Sequence, residues 1–231
     1  MNKKLSKRLT ACLNALSSHS TIADIGTDHA YLPCHGIANG FIDSAIAIDV
    51  IDGPLVQAKK MITDYGLLHK IEIRKGSGLK PLKIGEVEGI NIAGMGGKLI
   101  SQLLLSSLPI AKSIKTLALQ PQGGEAILRK MLFENDFAIT NEQLLEENGI
   151  IYTIITATPK QSLKLKYSEL DIKFGSILRQ NVKDEFFIKK WHQEIDAIDE
   201  ILTKIPKGNT RQNEFQQKKQ LIKDVLSGVV N

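Results

Sequence analysis

The stretch Thr21-Ile22-Ala23-Asp24-Ile25-Gly26-Thr27-Asp28-His29-Ala30-Tyr31-Leu32-Pro33 carries a short apolar run into a glycine turn and on into a helix-like segment. Its first half lacks clean polar alternation, as expected of a strand covered on both faces. The same unit recurs at Ser44-Ala45-Ile46-Ala47-Ile48-Asp49-Val50, Ile71-Glu72-Ile73-Arg74-Lys75-Gly76, Gly89-Ile90-Asn91-Ile92-Ala93-Gly94-Met95 and Thr116-Leu117-Ala118-Leu119-Gln120-Pro121. Between these runs, segments 28–39, 53–65, 97–107 and 123–135 read as helices. Pro54 suits a first helical position, where its missing N–H is no loss. Alternation of this kind implies parallel βαβ units with right-handed crossovers. The runs 137–145 and 150–158 follow, joined by Glu146-Glu147-Asn148-Gly149. Asn-Gly between two β-rich runs predicts an antiparallel hairpin. The fold class is α/β, an open parallel sheet closed by a hairpin.

The ends of the chain differ from this middle. Leu5, Leu9, Cys12, Leu13 and Leu16 recur at helical spacing, so the basic N-terminus reads as an amphipathic helix and not as a signal peptide. Near the other end, Phe187, Trp191, Ile195, Ile198, Leu202 and Ile205 form a seam close to that of a coiled coil. Pro206-Lys207-Gly208-Asn209-Thr210 breaks it, and Phe215, Ile222, Leu226 and Val229 resume it. Two antiparallel helices are expected, appended to the α/β part. The expected division is 1–160 for the α/β domain with its N-terminal helix, and 161–231 for the helical hairpin.

The 231 residues are 42% hydrophobic and 24% charged, which supports a buried core and excludes wholesale disorder. Cys12 and Cys34 form no Cys-x-x-Cys pair, so neither a disulfide framework nor a zinc ribbon is expected. No apolar run approaches the roughly 20 residues that cross a bilayer, and a cytoplasmic protein without a membrane partner is expected. The formal charge of +5 is concentrated at the ends: residues 160–231 hold 14 Lys/Arg against 10 Asp/Glu, and the first 20 residues hold four basic side chains and no acid. Solvated helix surface and an anion-binding role both account for that distribution.

In open α/β sheets a ligand sits beyond the carboxyl ends of the strands. That rule selects four turns. In the first, Gly26 allows a tight turn and close backbone approach. Asp28 and Ala30 depart from the Gly-x-Gly-x-x-Gly fingerprint, and the Asp28 carboxylate would oppose a pyrophosphate, which disfavours a nicotinamide dinucleotide. Asp49, at the second strand's end, suits either the vicinal hydroxyls of a ribose or the capping of the helix opening near Gly53-Pro54. Gly76-Ser77-Gly78 forms the third turn. In the fourth, Gly94-Met95-Gly96-Gly97 places three glycines in four residues, exposing backbone amides to a ligand. His29 alone has no assigned role, and Cys34 reads as packed. No Gly-x-Ser-x-Gly elbow supports a hydrolase triad. The five histidines show no ligand spacing, so no metal is expected.

Taken together, the Asp28-His29-Ala30-Tyr31-Leu32-Pro33 and Gly94-Met95-Gly96-Gly97 blocks, with Leu119-Gln120-Pro121, resemble the bacterial tRNA (adenine-22-N1)-methyltransferase family along nearly the whole chain. The resemblance implies a Rossmann-like seven-stranded methyltransferase sheet and an enzyme dependent on S-adenosyl-L-methionine (SAM), acting on N1 of a D-arm adenine in tRNA. It implies Asp24, Gly26, Asp28 and His29 at the methionine end of SAM and Asp49 at its ribose. Gly76, Ser77 and Gly78 would border its adenine, and Asn91, Ala93, Gly94, Met95 and Gly96 would face the methyl group. The family usually carries Asp where this chain has Ser77, which replaces a carboxylate acceptor for the exocyclic amine by a weaker hydroxyl.

Adenine N1 holds an in-plane lone pair at neutral pH, so alignment of nucleophile, methyl and sulfur is the main requirement. N1 lies on the Watson–Crick edge, so the base must be unpaired or turned out. On this reading Asp28 stabilises the positive charge that methylation places on the base and accepts a proton from its amine, with Tyr31 stacking on the base. The alternative for Asp28 is orientation of SAM alone. The (Asn/Asp)-Pro-Pro-aromatic tetrad of amino-methyltransferases is absent after the fourth strand, which favours a ring nitrogen over N6. Lys3, Lys4, Lys7, Arg8, Lys189, Lys190, Lys218 and Lys219 are the candidates for phosphate contacts. A monomer or weak dimer is expected. The rival readings are a SAM-dependent methyltransferase of another RNA, a protein or a small molecule, and a catalytically weak SAM- or RNA-binding module.

Overall fold

The computed structural model describes residues 4–159, 167–206 and 209–229. Two compact units comprise Met1–Tyr167 and Ser168–Asn231. The boundary expected between 160 and 161, Lys3, and the Lys207-Gly208 pair of the expected break lie outside the described residues.

The first unit is built on a seven-stranded sheet: β1 (Thr21–Ile25), β2 (Ser44–Asp49), β3 (Ile71–Lys75), β4 (Gly89–Met95), β5 (Thr116–Pro121), β6 (Phe137–Glu147) and β7 (Ile150–Pro159). Their order is 3-2-1-4-5-7-6. β1 to β5 run parallel, whereas β7 is antiparallel to both β5 and β6. The β6–β7 turn is Asn148-Gly149, with φ of 53° and 79°. Two consecutive positive φ values are what a two-residue hairpin matched to strand twist requires.

The helices of this unit are α1 (Lys7–Leu16), α2 (Tyr31–Ala38), α3 (Asp52–Asp64), α4 (Gly97–Leu105), α5 (Leu108–Ser113) and α6 (Glu125–Glu134). Central strands read as apolar runs because both their faces are covered; Ile22, Ala23, Ile48, Ile90 and Ile92 are fully buried. The amphipathic start is α1, capped by Ser6. Its Cys12, Leu13 and Leu16 join Ile22, Ala118 and Ile154 in one core cluster. Burial pushes the Cys12 and Cys34 thiols up to about 12, so both stay protonated and inert.

Two helix expectations are corrected. Segment 28–39 is not one helix: a short 3₁₀ turn at Asp28–Ala30 precedes α2, because His29 and Ala30 both take left-handed φ values of 58° and 54°. Segment 97–107 ends earlier, at Leu105, and α5 starts at Leu108 with a proline in its first turn.

The second unit contains α7 (Glu169–Phe174), a 3₁₀ turn at Leu178–Asn181, and the helix pair α8 (Glu185–Lys204) and α9 (Thr210–Leu226). α8 buries Phe187, Trp191, Ile195 and Ile198. Trp191 packs on Phe174, with ring centroids 4.4 Å apart. In α9 the buried residues are Ile222 and Val225, while Val229 is 76% exposed. The expected Leu226–Val229 continuation fails because the helix stops at Leu226 and Gly228 turns left-handed. No helix among the described residues is long and apolar enough to cross a membrane.

Candidate active site

Strand order reverses between β1 and β4, and the crevice beyond their carboxyl ends is where such sheets bind ligands. Asp24 and Asn91 are register partners on the two strands. A cavity of about 230 Å³ opens there, lined by Asp24, Gly26, Asp28, Tyr31, Leu32, Asn91 and Ala93, and by Lys4, Leu5, Ser6, Arg8 and Leu9 at the start of α1.

Its floor is polar. Asp24 is 5% exposed. One carboxylate oxygen accepts from Asn91 Nδ2 at 2.7 Å and the other from Thr27 Oγ1 at 2.6 Å. Burial pushes the Asp24 carboxyl above the usual range, and the two donated hydrogen bonds oppose that rise. Asn91 is 2% exposed, and its Oδ1 has no hydrogen-bond partner among the described residues. Buried acceptors are nearly always satisfied, so this one marks a place for a donor.

The first turn is tied to β2, since Gly26 and Thr27 both donate backbone N–H groups to Ile48 O, at 2.8 and 3.1 Å. Gly26 has φ of 72°, and a Cβ there would lie 2.3 Å from Met95 Cε. Glycine thus serves both the turn and the approach of the β4 loop. Beyond it, the paired left-handed residues His29 and Ala30 cost of order 1 kcal/mol each or more. They turn Asp28 outward, leaving its side chain 81% exposed, with Oδ1 3.2 Å from His29 Nε2. The His29 ring stacks on Tyr31 at a centroid distance of 5.4 Å. A carboxylate and two stacked rings therefore stand at the mouth.

The opposite wall is organised by Gln120, which is fully buried. Its Oε1 accepts from Arg8 Nη1 at 3.0 Å and from Gly94 N at 3.1 Å, while its Nε2 donates to Pro121 O at 3.0 Å. The β4–β5 register shifts between Ala93 and Met95, leaving Gly94 at φ 79°. Gln120 thus pins this bulge and the α1 guanidinium together. Among the glycines of that loop, Gly97 has a packing role: a Cβ there would meet Gly124 O at 2.2 Å.

The remaining predicted positions lie on adjoining turns. Asp49 Oδ1 accepts from Ile51 N at 2.9 Å. It does not cap α3, whose N-cap is Ile51. Gly76 N donates to Asp49 O at 2.9 Å, bringing Gly76, Ser77 and Gly78 beside the β2 end. Arg74 braces that loop by donating to Pro81 O at 2.9 Å and to both Glu86 oxygens. The same bonds hold the Glu86 carboxyl down at about 2. His29, Gly94, Met95 and Gly96 adjoin the cavity through their turns.

The basic candidates divide. Lys4 and Arg8 line the cavity. Lys7 Nζ donates to Glu146 O at 3.3 Å. Lys189 is exposed and Lys190 half-buried on α8. Lys218 and Lys219 are engaged in ion pairs with Glu194 and Asp199 across the helix pair. Sequence reasoning missed Thr27, Gln120 as a pin, and the α1 wall; only the basic, amphipathic character of that helix signalled its importance.

Asp24 and Asp28 are set against Lys4 and Arg8 around one cavity, with an unsatisfied amide oxygen beside them, and such a lining suits a ligand that carries both signs of charge. Comparison with known proteins finds relatives along nearly the whole chain. A family profile described as tRNA (adenine(22)-N(1))-methyltransferase matches residues 22–227. The tRNA (adenine(22)-N(1))-methyltransferase of Bacillus subtilis (strain 168) is 34% identical over 232 residues, 96% of this chain and 97% of that protein. The crystal structure of Streptococcus pneumoniae Sp1610 in complex with S-adenosyl-L-methionine superposes with a TM-score of 0.88 at 35% identity, covering 96% of this chain and 100% of that one. M. capricolum TrmK in complex with S-adenosyl-homocysteine gives a TM-score of 0.86 at 28% identity, covering 97% and 99%.

Proposed function

The chain belongs to the tRNA (adenine(22)-N(1))-methyltransferase family, and from that premise we propose how its own residues serve SAM-dependent methylation of adenine N1 in tRNA. The orphaned Asn91 Oδ1 and the acid-lined floor fit a donor that carries an ammonium and a sulfonium. When bound, SAM supplies a methyl group on positively charged sulfur. Asp24 and Asn91 orient the amino-acid arm from the floor, and Gly26 lets the backbone of the first turn approach it. Asp49 holds the ribose hydroxyls. Gly76, Ser77 and Gly78 border the donor adenine, and Ala93 to Gly96 wall the reacting centre.

At the mouth, Asp28 faces the target base and stabilises the positive charge that appears on it. Tyr31, backed by the His29 ring, offers the surface on which the base stacks. No base is needed to activate N1, so positioning and electrostatics carry the step. The juxtaposition of an exposed Asp28 with a stacked His29–Tyr31 pair at the cavity mouth is the observation that supports this division of labour. The tRNA backbone meets Lys4 and Lys7 near the mouth, and Lys189 and Lys190 of the helix pair supply a second basic surface. The protein acts as a monomer or weak dimer in the compartment that holds tRNA, the cytoplasm.

Transfer of labelled methyl from SAM to purified tRNA, with nucleoside analysis, tests the reading. The label is expected in 1-methyladenosine from a transcript with adenine at position 22. It is expected to vanish when that position is guanine, whose N1 carries a proton. Label in N6-methyladenosine, or equal transfer to both transcripts, would refute it.

A further inference from the structure

The edge strand β6 carries one residue more than its partner. Its register against β7 shifts between Ile139, opposite Ala157, and Asn141, opposite Thr156, so Thr140 is the extra residue of a β-bulge. Side chains alternate between faces along a strand, and one extra residue reverses the alternation beyond it. The reversal can be followed on β7, because residues opposite each other share a face. Ile154 lies in the core cluster with Cys12 and Leu16 of α1, and Tyr152 and Leu145 pack against that cluster. Gln143, opposite Ile154, and Asn141, opposite Thr156, therefore face α1 as well. Glu142, opposite Ile155, points the other way, into its ion pair with Arg129 of α6. Glu146, opposite Ile151, shares that far face. Continued regularly from Ile139, the alternation would put Glu142 towards α1 and turn both amides away.

The bulge thus shapes a polar groove of about 500 Å³ between α1 and β6. Asn141 and Gln143 line it from the strand, and Lys4, Lys7 and Asn14 from the helix side, with Leu5, Ala11 and Ala15 as an apolar wall. Among the described residues no carboxylate lines it. Glu147, at the end of β6, accepts from Lys7 N at 2.7 Å, while Lys7 Nζ donates to the neutral Glu146 O at 3.3 Å. Even with Glu147 counted, two lysines leave the groove positive. The three side-chain amides form no hydrogen bond with a described residue, so each has a donor and an acceptor to offer.

This groove runs into the active-site cavity, since Lys4 and Leu5 line both. We propose that it binds a second unpaired nucleotide of the tRNA, with the phosphate on Lys4 and Lys7 and the base edge on the amides of Asn141 and Gln143. The proposal rests on the tRNA reading above and adds to it a second base that the protein reads. Phosphate contacts position a nucleic acid, and base-edge contacts specify it. An amide sets a donor beside an acceptor, the pattern that a base edge presents, and in RNA such edges are free on unpaired nucleotides. The competing occupant is a peptide strand added to the edge of β6. RNA is favoured because an added strand would bond to the β6 backbone, whose ladder the bulge interrupts, and would leave the lysines and amides unused.

Fluorescence anisotropy of labelled tRNA with the full chain tests this, using tRNA assembled by ligation with an abasic ribose at each unpaired D-arm position in turn. Asn141→Ala combined with Gln143→Ala is expected to raise the Kd for intact tRNA by about 10- to 100-fold, the range for losing paired base-edge contacts. The salt dependence of that Kd should not change, because no charge is removed. Lys7→Gln is expected to lower the salt slope instead. One abasic position should weaken the unaltered protein by a similar factor and cost the alanine variant no more than about twofold further, the signature of groups in contact. Binding of S-adenosyl-homocysteine within about twofold of the parent reports an intact fold. Should the alanine pair lose it, the isosteric Gln143→Glu decides: it returns a carboxylate to the groove and is expected to weaken tRNA at least as much. An alanine variant whose Kd for tRNA stays within about twofold would overturn the proposal in favour of a protein strand or a plain solvated surface. So would a loss that adds fully to that of every abasic position, which would assign the amides to the sugar–phosphate chain. Binding is read without methyl transfer, so a chain that binds tRNA in this way and leaves adenine 22 unmethylated would refute the reaction proposed above and not the groove.

Discussion

Asp28→Asn is expected to lower kcat for tRNA methylation by about 100-fold, while the dissociation constant for S-adenosyl-homocysteine shifts by less than threefold. The substitution keeps size and shape and removes only the charge. In the free protein the side chain is 81% exposed, where a charge is strongly screened. A base stacked on Tyr31 would cover that carboxylate and exclude water from it, and in such a place a fixed negative charge next to a developing positive one is worth several kcal/mol. The methyl donor is already cationic before transfer, so a residue that only orients the donor would lose affinity and not rate. Single-turnover kinetics at saturating donor separate the two. Wild-type kcat with weakened donor binding would reduce Asp28 to an orienting group.

The second large effect concerns stability. Arg129 on α6 donates from Nε to Glu142 Oε1 on β6 at 2.7 Å, with side-chain exposures of 2% and 0%. Removing one partner from a buried ion pair leaves the other charge desolvated, at a cost of about 3–5 kcal/mol. Glu142→Ala is therefore expected to lower Tm by roughly 10 °C or more. Replacing both residues by apolar ones of similar volume, Arg129→Met with Glu142→Leu, should recover most of that loss, because the cost lies in the stranded charge. Differential scanning fluorimetry of the single and double variants reads the outcome. A Glu142→Ala Tm within two degrees of the parent would show that the pair is not desolvated in solution.

Much of the architecture can be read before any coordinates. Five Ile- and Ala-rich runs, each ended by a glycine or turn, become β1 to β5, because strands covered on both faces carry no polar alternation. Asn148-Gly149 marks the hairpin because few residue pairs accept two positive φ values. The failures have equally physical causes. Histidine takes a left-handed backbone only somewhat more often than most residues and alanine rarely does, so His29 and Ala30 hide the 3₁₀ turn inside an apparent helix. Heptad spacing cannot show that α9 stops at Leu226, which exposes Val229.

The site is legible in part for the same reason. Asp24, Gly26, Asp28 and Asn91 are adjacent to strand-end turns, where position in the sheet follows from position in the chain. Arg8 meets Gln120 across 112 positions of sequence, a pairing that only the packing of α1 against the sheet creates. The basic N-terminus therefore suggests a nucleic-acid contact, although its arginine faces the cavity.

The crevice between β1 and β4 is expected to hold the methyl donor with its arm on Asp24 and Asn91 and its ribose at Asp49. A crystal structure of the protein soaked with S-adenosyl-homocysteine tests it most directly. Density is expected to run from the Asn91 amide to the Asp49 carboxylate, with the sulfur open toward Asp28 and Tyr31. Density elsewhere on the molecule, or in this crevice with the sulfur turned away from Asp28, would contradict it.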